Sequence, residues 1–93
     1  MKIVHWRFHD GKPRKTLGIG AVIEMDPVPR GYYCWAYPDN NEEFESWMEQ
    51  TYGTNEKRAS WDHRFNSGDP MYTVYIKRDK DALMFQLRWD QNG

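Results

Sequence analysis

Residues 61–89 read WDHRFNSGDPMYTVYIKRDKDALMFQLRW, and how this stretch divides into strands and helix decides the fold. A turn centred on Ser67 and Gly68 pairs Phe65 with Pro70, His63 with Tyr72 and Trp61 with Val74. In that register Trp61, His63, Phe65, Tyr72, Val74 and Ile76 share one face, while Asp62 and Arg64 turn to the other beside Thr73 and Met71. A slip of one residue would mix polar and apolar side chains on both faces, so the hydrophobic pattern selects the first register. The tail reads two ways. Leu83, Phe85, Leu87 and Trp89 alternate with Met84, Gln86 and Arg88 as in a strand, yet Ala, Leu, Met, Gln and Arg are helix formers and no β-branched residue is among them. With Asp79 as cap and Asp81 in the first turn, a helix is expected over Asp79 to Trp89, its apolar arc made of Ala82, Leu83, Phe85, Leu87 and Trp89.

The triplet Asp62-His63-Arg64 invites a catalytic reading, with His63 as a base oriented by Asp62. Neighbouring residues of a strand point to opposite faces, so these two side chains cannot orient each other. The expectation is a packed His63 and an outward Asp62–Arg64 pair, and no catalytic residue is assigned.

Upstream, Phe44, Trp47, Met48 and Tyr52 fall on one helical stripe. Asn40 is the expected N-cap and Gly53 the stop, giving a helix from Asn41 to Tyr52 with acids in its first turn. Ile3 to His9 alternates, with Val4, Trp6 and Phe8 on one side and Ile3, His5, Arg7 and His9 on the other. Thr16 to Met25 alternates again. If the two runs form a hairpin closed by Asp10 to Lys15, His5, Arg7 and His9 face Gly18 and Gly20. The prolines of Asp26-Pro27-Val28-Pro29-Arg30-Gly31 break the sheet before a third strand, Tyr32 to Tyr37. The whole reads as one α+β domain over residues 1–93, a mostly antiparallel sheet of about five strands with two helices packed on one face.

Aromatic residues make up 16% of the chain, and such rings bury enough area for 93 residues to fold without staples. Cys34 is the lone cysteine, which rules out an intramolecular disulfide and an all-cysteine metal site and fits a reducing cytoplasm. Lys plus Arg is 13 against 14 for Asp plus Glu, so binding to nucleic acid or an anionic membrane would need a local patch. No signal-peptide pattern opens MKIVHWRFHD, and no run nears the roughly 18 apolar residues of a membrane span. A cytoplasmic protein with no membrane partner is expected.

Two surfaces are candidates. Arg30, Tyr32, Tyr33, Trp35 and Tyr37 combine rigid rings with proline-stiffened backbone, the composition of a protein-recognition surface. His5, Arg7, Lys12, Arg14 and Lys15 form a basic hairpin able to meet phosphates. His5 and His9, four apart on a strand, stand about 13 Å from each other, too far to share a metal ion. The Gly18-Ile19-Gly20 run has no following helix, so it is not a phosphate loop. No metal and no cofactor are assigned. An enzymatic role for His5 or His9 with Arg7 on a phosphorylated substrate has no placed acid partner and ranks last.

The stretch RFNSGDPMYTVYIKRDKDALMFQLRW, residues 64–89, resembles the C-terminal part of short uncharacterised proteins encoded by tailed phages, especially phages of marine cyanobacteria. Asp81, Ala82, Phe85, Leu87, Arg88 and Trp89 carry the resemblance. It implies an accessory phage protein acting in the infected cell, and it supplies no binding or catalytic residues. The function expected is therefore non-enzymatic: binding and modulating another protein, of host or virus, with a second copy of the chain among the candidates. The alternative is a nucleic-acid-binding domain using the basic N-terminal hairpin.

Overall fold

A computed structural model describes the chain except Ile19, Asp26, Glu56, Ser67, Gly68 and residues 90–93; the side chains of Arg14, Thr16, Leu17, 21–25, Phe65, Asn66 and Asp69 are also outside the description. The elements follow in the order β1 (Lys2–His9), β2 (Arg14–Gly18), β3 (Ala21–Met25), β4 (Gly31–Tyr37), α1 (Asn41–Tyr52), β5 (Ala59–Asn66), β6 (Asp69–Ile76) and α2 (Asp79–Trp89). β1, β4, β6 and β5 lie in that order in one antiparallel four-stranded sheet, and β2 with β3 forms a separate two-stranded sheet. The fold is α+β as expected, but the main sheet has four strands rather than five.

The strand that differs is the run Thr16–Met25. It reverses at Gly20, where φ is +75°, and Leu17 pairs with Val22 and Gly18 with Ala21. β1 consequently does not pair with β2; it pairs with β4, so the expected face of His5, Arg7 and His9 over Gly18 and Gly20 does not form. A second correction lies inside β1. The register with β4 shifts between Val4 and Arg7, and His5 adopts φ +56°. Such a bulge inserts one residue and reverses the parity beyond it. Ile3 therefore joins Trp6 against the core, while Val4 sits opposite Trp35 on the other side.

Around β5 and β6 the expected register is the observed one: Phe65 opposite Pro70, His63 opposite Tyr72, Trp61 opposite Val74. The turn centre at Ser67 and Gly68 lies outside the described residues. Both helices have the expected bounds. Asn40 accepts a hydrogen bond from the Glu43 N–H at 3.1 Å, and the Gly53 N–H closes α1 on the Glu49 carbonyl at 2.9 Å. Asp79 does not cap α2. It is the first helical residue, the Ala82 N–H bonds the Arg78 carbonyl, and its carboxylate turns to Tyr32 and Arg30 instead.

The core lies between the helices and one sheet face, where Phe44, Met48 and Tyr52 of α1 and Ala82, Phe85 and Trp89 of α2 meet Cys34, Ala36, Trp61, Tyr72, Val74 and Ile76. Phe44 is its centre, with ring centroids of Tyr72 at 4.7 Å, Trp89 at 5.6 Å and Phe85 at 6.4 Å. The apolar arc of α2 is narrower than expected, because Leu83 and Leu87 are 55% and 74% exposed. The buried face of α2 instead begins with Asp81, its carboxylate held by the Arg58 guanidinium, which also donates to the Thr51 carbonyl at 3.1 Å.

Candidate open-face binding site

Side chains alternate, so every strand of the main sheet also sends residues away from the helices. From β1 come Val4, His5, Arg7 and His9; from β4, Tyr33, Trp35 and Tyr37; from β6, Thr73 and Tyr75; from β5, Ser60, Asp62 and Arg64. Neither helix covers this face. β1 lies beside β4, and this pairing joins members of the two surfaces read from the sequence. His5 packs its ring on Trp35 with centroids 4.4 Å apart, the Arg7 guanidinium stands 5.7 Å from the Tyr33 centroid, and His9 meets Tyr33 edge-on at 5.0 Å.

Tyr33 continues the row to Tyr75, 4.9 Å away on β6. Both phenols are tied down. Tyr33 donates to the Pro29 carbonyl and Tyr75 to the Arg30 carbonyl, each at 2.7 Å, so the segment entering β4 is pinned to the end of the face. Burial and the neighbouring Tyr75 hold the Tyr33 phenol above its ordinary range, keeping it protonated and neutral at physiological pH. A shallow groove of about 190 Å³ runs beside the row, lined by Tyr33, Ser60, Asp62, Thr73, Val74 and Tyr75.

The remaining candidates separate. Tyr32 and Arg30 belong to the helix side: Tyr32 packs on Trp6 and Phe8 and donates to Asp79 at 2.7 Å, while Arg30 lies 5.1 Å over the Phe8 ring and pairs with Asp79 at 3.3 Å. These contacts hold the Asp79 carboxyl below its usual range, the Tyr32 hydroxyl bond first and Arg30 after it. Lys12 is exposed just past β1, and Lys15 is exposed on β2; the Arg14 side chain lies outside the described residues.

The Asp62-His63-Arg64 triplet is resolved as a strand. His63 stacks on Tyr72 at 5.0 Å, and Asp62 pairs with Arg64 at 3.6 Å on the opposite face. Cys34 is buried in the core, which pushes its thiol up to about 12 and leaves no thiolate nucleophile at neutral pH. Among the described residues no three His, Cys, Asp or Glu side chains gather to hold a metal ion, and no helix is long and apolar enough to cross a membrane.

Sequence reasoning missed Thr73, Tyr75 and Ser60 as members of the site. Their parity was readable, since the β5–β6 register already placed Thr73 on the outer face, but their proximity to Tyr33 rests on the β4–β6 pairing. No family model, curated protein or solved structure matches the chain.

Proposed function

We propose that this chain is a small non-enzymatic binding domain that lays an unpaired nucleic-acid strand across the helix-free face of its sheet. The observation that carries this reading is the aromatic row Trp35, Tyr33 and Tyr75, half-exposed on one face with Arg7 over Tyr33. Bases stack on such rings for about 1–3 kcal/mol each, and an adjoining cation meets the phosphates. The net charge of −1 does not oppose it, because charge is segregated. Glu42, Glu43, Glu45 and Glu49 are exposed on α1, whereas the described residues of the open face include Arg7 and Arg64 against one acid, Asp62, itself paired with Arg64.

The test is binding of a labelled oligothymidylate and oligouridylate of about twelve nucleotides, a length in the range of single-strand site sizes. Trp35→Ala with Tyr33→Ala is expected to weaken binding at least tenfold, and Arg7→Gln to lower the slope of log K against log salt by about 0.7. Unchanged affinity in the double aromatic variant sinks the proposal.

A second reading, binding to another protein, is favoured by a different surface. Leu83, Met84 and Leu87 are exposed on the outer side of α2, the first two about one helical turn before the third. Three such residues on one helix face suit an apolar partner. Light scattering with paired 260 and 280 nm absorbance on protein purified without nuclease separates the two: a nucleic-acid peak released by salt supports the first, and a clean oligomer supports the second.

A further inference from the structure

We infer that a cleft beside the open face, where β5 begins and β6 ends, is a phosphate site. It has a volume of about 350 Å³, and its lining among the described residues includes Arg30, Lys57, Arg58, Lys77, Ser60 and Tyr75, with no acidic side chain in that set. The four cations are not equivalent. Arg58 is held by the buried carboxylate of Asp81, and Arg30 is paired with Asp79. Lys57 and Lys77 have no ion-pair partner among the described residues, so within that set the cleft carries two uncompensated positive charges. Two lysines and a serine hydroxyl lining one concavity suit the oxygens of a phosphate group.

The cleft adjoins the groove on the open face, since Ser60 and Tyr75 line both. A phosphate held by Lys57 and Lys77 would therefore stand close to Tyr75, at one end of the Tyr33–Tyr75 row, where the backbone of a stacked strand could pass. The identity of the phosphate as one from a nucleic-acid strand rests on the proposed function; the anion site itself does not.

Titration of the full-length chain with inorganic pyrophosphate, followed by amide chemical shifts, tests the site alone. Shifts centred on Lys57, Ser60 and Lys77 that vanish in Lys57→Gln with Lys77→Gln are expected. Binding of the oligonucleotide tests its source: the same double variant should lose at least fivefold affinity and about 0.7 of the salt slope, for one phosphate contact, while Lys80→Gln on α2 changes neither. Pyrophosphate shifts with an unaltered oligonucleotide affinity keep the anion site and assign it to a free phosphate or nucleotide. Absence of those shifts at millimolar pyrophosphate, together with unaltered oligonucleotide affinity, overturns the inference. Should Trp35→Ala with Tyr33→Ala leave strand binding intact, the open-face reading fails while the pyrophosphate result still judges the cleft.

Discussion

Tyr75 packs its ring against the bare α-carbon of Gly31: a β-carbon there would stand 2.5 Å from Tyr75 Cε1 and 2.8 Å from the Ile76 carbonyl oxygen. Gly31 also has φ +151°, a conformation that side-chain-bearing residues rarely adopt. The same tyrosine bonds the carbonyl of the preceding residue, Arg30, so the entrance to β4, the open face and the basic cleft meet at this contact.

Gly31→Ala is accordingly expected to cost about 2–4 kcal/mol, from backbone strain and overpacking together. Removing the ring by Tyr75→Ala in the same chain should recover only part of that, because the clash with Ile76 and the strain persist. Urea unfolding of the three variants checks this, and full recovery in the double variant would place the whole cost on the ring.

The ion pair of Arg58 and Asp81 is lopsided, with the arginine side chain 38% exposed and the aspartate 2%. Removing the arginine strands a buried carboxylate, whereas removing the aspartate leaves a guanidinium that water can reach. Arg58→Met should therefore cost about 3 kcal/mol or more, and Asp81→Asn about 1–2 kcal/mol. Urea unfolding of the two variants beside the parent decides it.

How far the sequence led can be judged from particular residues. Phe44, Trp47, Met48 and Tyr52 identified α1 because three- and four-residue spacing leaves little choice of buried face, and Asn40 and Gly53 bounded it through local backbone chemistry. The β5–β6 register was legible for a similar reason, since a slip would expose Trp61 and Val74 together. What failed was non-local or parity-neutral. Apolar alternation runs through the reversal at Gly20 without a break, so only the glycine marked it, and the β1–β4 pairing joins residues whose partnership nothing nearby encodes. The bulge at His5 then exchanged the faces of Ile3 and Val4. The open-face site depends on that pairing, which is why its rings were read as one segment and its cations as another.

Alkaline pH should destabilise the protein well before general base denaturation. Burial raises the Cys34 thiol from 9.0 to about 12 and the Tyr72 phenol from 10.0 to about 12, the latter with help from Glu45, and burial lifts Tyr52 in the same direction. Each group is neutral in the folded chain and ionises earlier when unfolded, so its contribution is whole below the unfolded pKa and is lost as pH rises toward the folded one. Chemical unfolding should show stability falling from about pH 9 toward 12. Cys34→Ala should begin that fall about one pH unit later, at the tyrosine onset. Native protein should resist thiol reagents at pH 8 and react only on unfolding.

Asn55 covers one stretch of an edge of the main sheet. Its side-chain amide donates to the Trp61 carbonyl at 2.9 Å and accepts from the Trp61 N–H at 3.1 Å, occupying the outward-facing groups of β5 as a neighbouring strand would. β5 is an edge strand, and unpaired edge groups invite another chain to add itself. At the other edge, the bulge at His5 in β1 interrupts a flat pairing surface in its own way. Asn55→Ala should cost about 1–2 kcal/mol for the two lost bonds. It should also raise the tendency to self-associate through β5, seen as a concentration-dependent mass in light scattering. If the variant is destabilised yet stays monomeric at all concentrations, Asn55 anchors the loop before β5 and guards nothing; if association appears while Trp35→Ala leaves it unaffected, the protected edge and the open face are separate surfaces.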